Sequence, residues 1–163
     1  MVGAPIAYGS PVPTRSDLAA SMAPVTKALA QMEEAIARRR GLTMWRYAVL
    51  VAVRDDPGSN QSQIAARIGY DKNRIVSDLD ALEAAGLLTR TPAADDRRNN
   101  QLALTAAGAR LAGELQAEVH AGEDALLAAL PAGDRRAVHR SLATLRSRVA
   151  DGSWLAPYAS ELA

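Results

Sequence analysis

Asn73, Arg74 and Ser77 are side chains of the types that read nucleic acid. An amide and a guanidinium form paired hydrogen bonds with base edges, and a hydroxyl suits either a base or a phosphate. At about 100° per helical residue, these three fall opposite Ile75, Leu79 and Leu82, together with Asp80 and Ala81. The apolar trio must face a core, which leaves the polar set outward in the first two turns of its helix. Lys72 lies nearer the core side by phase, but from the helix start it can swing to a phosphate, as can the free backbone N–H groups there. A second cluster, Asp95-Asp96-Arg97-Arg98, falls between two short stretches of strand character. A guanidinium at the end of such a ribbon can enter a narrow minor groove. Asp96 could hold Arg98 in one rotamer through a bidentate pair. The plainer alternatives are a solvated helix face and hairpin charges paired with one another.

Other chemistries have little support. The chain has no cysteine, which removes disulfides, thiolate metal sites and a peroxide-sensing thiol. His120 and His139 are too far apart for a metal motif, so neither a metal nor a cofactor is expected. There is no Gly-rich phosphate loop and no suggestive Ser-His-Asp set, and Asp55-Asp56 reads as turn chemistry. An enzyme is not expected. The net charge is only +1, with 48% hydrophobic and 23% charged residues, so any basic surface must be local. The longest apolar run, Tyr47 to Val53, is far below the roughly 20 residues a bilayer requires. The N-terminus lacks the basic-then-apolar order of a signal peptide, so a cytoplasmic location is expected.

The elements that would position these groups follow from periodicity and punctuation. Residues 1–14, with Pro5, Pro11 and Pro13, read as a flexible arm. A helix capped by Ser16 carries Leu18, Met22, Val25, Leu29, Met32 and Ile36 on one stripe and closes at Arg38-Arg39-Arg40-Gly41. Pro24 should kink it or delay its start. A second helix spans Thr43 to Arg54. Asn60 and Gln63 form a capping pair for a third, which Gly69 ends. Asp71 caps a fourth that runs to about Ala85. Strands over Leu87–Thr91 and Gln101–Leu104 flank a tip at Pro92–Asn100. Thr105 caps a fifth helix, Pro131-Ala132-Gly133 breaks it, and Asp134 caps a sixth carrying Val138, Leu142, Leu145 and Val149. The fold class is therefore mainly α with a small β-wing: a winged helix-turn-helix core flanked by long helices.

From Leu42 to Gly108 the chain resembles the MarR (multiple-antibiotic-resistance regulator) family. The resemblance rests on Leu42-Thr43, Asn60-Gln61-Ser62-Gln63-Ile64-Ala65, Gly69 to Arg74, Leu82 to Arg90, Asp95 to Arg98 and Leu102 to Gly108. It implies a single domain over residues 15–150, with a winged helix-turn-helix at 42–105, dimerisation helices at 16–40 and 105–150, and a tail at 151–163. It implies a homodimer whose first, fifth and sixth helices interlock. It implies double-stranded operator DNA as partner, usually with repression, and no membrane partner. Lys72, Asn73, Arg74, Ser77, Arg97 and Arg98 would contact that DNA, with Asp96 as the orienting acid. It also implies a pocket for a small, often aromatic or phenolic, effector, for which Trp45 and Tyr47 are the candidate walls. The competing expectation is a winged-helix protein-interaction module without DNA binding, in which Asp78, Asp80 and Glu83 repel phosphate.

Overall fold

A computed structural model of the chain describes residues 17–92, 100–152 and 154–157. The proline-rich arm, Ser16, the wing tip with Asp96, Arg97 and Arg98, and the end of the tail lie outside the described residues. The chain forms two compact units, Met1–Gln116 and Ala117–Ala163. In order, the elements are α1 (Leu18–Arg38), α2 (Met44–Asp55), α3 (Gln61–Ile68), α4 (Arg74–Ala84), β1 (Leu88–Pro92), β2 (Asn100–Leu104), α5 (Ala106–Leu127) and α6 (Ala132–Asp151).

The first unit is built around Val49, Leu50, Val53, Ile64, Ile75, Leu79, Leu82 and Leu88, all almost completely buried. Local chemistry starts and stops its short helices. Thr43 accepts from the Arg46 amide to open α2. Asn60 and Gln63 bond reciprocally at 2.9 and 2.8 Å, satisfying two backbone donors at the start of α3. Gly69 closes α3 at φ 65°, a left-handed conformation that a side chain would strain.

The wing is a two-stranded antiparallel ribbon with Leu88 opposite Leu104 and Pro92 opposite Asn100. On its other edge β2 exchanges backbone bonds with the α2–α3 connection: Gly58 N–H donates to Leu102 O and Leu102 N–H to Ser59 O. The base of the wing is therefore held from both sides. One hydroxyl joins it to α5. Thr105 Oγ1 donates to Gly86 O at 2.7 Å and accepts from Gly108 N–H at 3.0 Å. A carbonyl at the end of α4 and an amide at the start of α5 are thus satisfied together. Gly108 packs so tightly that a Cβ there would stand 1.9 Å from Leu87 O.

Three boundaries differ from expectation. α1 runs unbroken through Pro24. The carbonyl of Ala20, which proline deprives of its donor, is on an exposed residue and can bond water instead. α4 begins at Arg74 rather than just after Asp71, although Asp71 still anchors its start. In the second unit α6 begins at Ala132, with Pro131 before it and Asp134 inside its first turn. Proline suits this place because its fixed φ leads into a helix, and Pro131 O accepts from the Asp134 and Arg135 amides. Arg135 reaches back to Leu130 O and Ala128 O, at 2.9 and 3.1 Å, and so caps the end of α5.

Candidate nucleic-acid interface

The turn between α3 and α4 is organised by one carboxylate. Asp71 Oδ1 accepts from the amides of Asn73 and Arg74, at 2.8 and 3.0 Å. Those bonds, Arg74 first, hold its carboxyl below the usual carboxylate range, so it stays ionised and keeps the turn folded. Lys72 and Asn73 therefore stand on the turn that precedes α4, with Arg74 as the first helical residue and Ser77 one turn on. All four are exposed. Ser77 Oγ donates to Arg74 O at 2.9 Å, which leaves its lone pairs outward as acceptors. The surface thus offers an ammonium, a guanidinium, an amide and a hydroxyl on one ridge.

The acids near this ridge have partners within the fold. Asp78 is buried on the inner side of α4, where it accepts from Arg46 Nε at 2.9 Å and from the Tyr70 hydroxyl at 2.8 Å. Burial, then this bond to Asp78, raises the Tyr70 pKa and keeps the phenol a neutral donor. Arg90 on β1 places Nη2 2.6 Å from Asp80 Oδ1 and Nη1 3.6 Å from Glu83 Oε2. The expected repulsion of phosphate by Asp78, Asp80 and Glu83 is offset in part by Arg46 and Arg90, and Lys72 and Arg74 add two cations on the outer side.

Two features escaped the sequence reading. Asp78 lies three residues after Ile75 and four before Leu82, a phase that already pointed it inward. Val76 is an apolar side chain exposed on α4, 37% accessible; in a major groove the thymine methyl is its natural counterpart.

The two candidate pocket residues part company. Trp45 is half-buried and lines an open groove of about 620 Å³ with Lys27, Ala30, Gln31, Glu34, Ala35, Arg38 and Met44. Tyr47 is buried in the core and is not among the residues lining this groove. The groove floor is fixed by Glu34, which accepts from the Met44 amide and from Arg38 Nε, both at 2.7 Å. The Met44 bond, then the Arg38 bond, lowers its pKa. Among the described residues, no helix is long and apolar enough to cross a membrane, and no group of three or more acids or histidines is placed to hold a metal.

Known proteins are similar to this chain in sequence and fold. The MarR family model matches residues 40–99. A putative transcriptional regulatory protein for the hcr operon of Thauera aromatica is 29% identical over 92 residues, covering 56% of this chain and 55% of that protein. The chain thus matches about half the length of this curated relative. The transcriptional repressor CouR, bound to a 23-mer DNA duplex, is 30% identical with a TM-score of 0.70, covering 80% of this chain and 92% of CouR. CouR from Rhodococcus jostii is also known bound to p-coumaroyl-CoA. A Mycobacterium tuberculosis MarR family protein in complex with p-aminosalicylic acid is 26% identical with a TM-score of 0.69, covering 80% and 98%.

Proposed function

This chain belongs to the MarR family, and from that premise we propose that it is a dimeric DNA-binding transcriptional regulator, a repressor released from its operator by a small aromatic effector. The observation that carries the reading is the ridge of Lys72, Asn73, Arg74 and Ser77, held by Asp71 and relieved of neighbouring negative charge by Arg46 and Arg90. Arg97 and Arg98, with Asp96 orienting, complete the contact in the adjacent minor groove. The paired acids disfavour the alternative of a protein-interaction module without DNA binding. No catalytic role is assigned to the chain, and its place of action is the cytoplasm.

Dimerisation follows from the apolar stripes. Leu18, Met22 and Val25 on α1, and Leu142, Leu145 and Val149 on α6, are all at least 40% exposed in a single chain. A second copy would cover them and present two α4 helices to half-sites about one helical turn, roughly 10 bp, apart. The groove beside Trp45 takes the effector. The indole offers a face for an aromatic ring and Lys27 a cation for a carboxylate. Release requires that the effector bind the DNA-incompetent arrangement more tightly than the competent one.

The test is selection of duplexes from a randomised pool, followed by gel shifts. Arg74→Ala and Arg98→Ala should each weaken the selected duplex about tenfold. Lys72→Ala should weaken all duplexes similarly and reduce the salt slope by about one. Failure of the wild-type chain to enrich any sequence would refute the function. Unchanged shifts for all three variants would refute the residue assignment.

A further inference from the structure

A continuous set of contacts runs from the groove to the DNA-reading turn. Trp45 on the groove wall stacks on Tyr70, ring centroids 4.2 Å apart and planes 11° from parallel. Tyr70 is the residue immediately before Asp71, whose carboxylate folds the turn carrying Lys72 and Asn73. Its hydroxyl donates to Asp78 on α4, and Asp78 also accepts from Arg46, the neighbour of Trp45 on α2. One aromatic side chain therefore touches the groove wall with its face, the reading helix with its hydroxyl and the reading turn through its backbone.

We propose that Tyr70 is a positioning residue that couples the groove to α4, so that displacement of the Trp45 ring is transmitted to the setting of Asn73, Arg74 and Ser77. This rests on the DNA-reading function above and adds how groove and reading head communicate. The physical basis is that a stack this close and a bond to a buried carboxylate each have few alternative geometries. Asp78 is mostly removed from water, so moving the phenol away would leave one of its oxygens without its donor. A shift of the indole must then be followed either by the ring and α4 together or by loss of that bond. Coupling of this kind is demonstrated by a double-substitution cycle rather than by proximity.

Trp45 supplies the reporter. The chain has two tryptophans, and Trp154→Phe leaves Trp45 alone. In that background the indole N–H resonance of Trp45 should move on Asp78→Asn, and the movement should shrink by about half or more when Tyr70→Leu removes the ring. An equal movement with and without the ring would overturn the proposal. Tyr70→Phe keeps the ring and removes only the hydroxyl. It should lower discrimination between a selected duplex and random DNA about tenfold, while low-salt binding to random DNA holds. A structural role alone would lower both together. Unchanged discrimination in Tyr70→Phe would also overturn the proposal. If the wild-type chain selects no duplex, the DNA-reading function is what fails, and the Trp45 cycle still decides whether Tyr70 couples groove to helix.

Discussion

α4 and α6 are both amphipathic helices with apolar residues at steps of three and four, yet they end in opposite states. In α4 the apolar positions Ile75, Leu79 and Leu82 are fully buried within one chain. In α6 no residue is buried, and Leu142, Leu145 and Val149 remain 44–64% exposed. α1 shows both behaviours along one helix, with Ile36 and Ala37 buried at its end and Leu18 and Val25 exposed near its start. Periodicity therefore specifies a face but not what covers it. The reading head completes its core alone. The terminal helices carry stripes that a single chain leaves in water, at a cost of about 2 kcal/mol for each large side chain so left.

The largest effect expected from breaking this contrast is on assembly. Leu142→Asp combined with Leu145→Asp should convert a dimer to monomers in sedimentation and reduce affinity for a two-half-site duplex at least about 100-fold, because bivalent attachment is lost. The far-ultraviolet dichroism of the reading head should persist. A dimer that survived the double substitution would show that α6 is not the pairing face.

Within the reading head the most severe single change should be Gly108→Ala. Alanine favours helix, but its Cβ would overlap Leu87 O, which also accepts from the Thr105 amide at 3.1 Å. A loss of about 3 kcal/mol in urea unfolding is expected, well above the roughly 1 kcal/mol helix gain. An unchanged midpoint would mean that the junction between wing and α5 is not tightly packed.

Asn60→Ala should cost about 1 kcal/mol, since it removes the cap on α3 and releases Gln63 as well. The slope of the urea transition should stay the same. The smallest effect concerns pH. The Glu34 pKa lies below its ordinary value of 4.5 in the folded chain, so its stabilisation is present above that value and lost as pH falls through the lower folded one. The Met44 amide bond, and after it the pair with the exposed Arg38, are both partly open to water, so the effect is about 0.5 kcal/mol. Wild type and Glu34→Gln should therefore differ slightly at neutral pH and converge in acid.

How much was legible depended on whether the information is local. The caps at Asn60 and Thr105 and the stops at Gly69 and Gly86 were readable because each bonds or turns the chain within a few residues. The inward trio of α4 was readable for the same reason. The start of α6 was misplaced because Pro131 and Gly133, which usually interrupt helices, are tolerated in and just before a first turn, where few backbone donors have helical partners.

The sequence by itself determined the order of the helices, which side of each is apolar, and that Asn73, Arg74 and Ser77 face outward, since these follow from bonds and periods spanning a turn or two. Only the tertiary structure decided that Asp78 pairs with Arg46 and Tyr70, that Arg90 lies against Asp80 and Glu83, and that Trp45 rather than Tyr47 faces the groove. Those partners are separated by up to 32 positions along the chain. A charge or ring acquires its role from neighbours brought together by packing, and no local pattern encodes which neighbours those are.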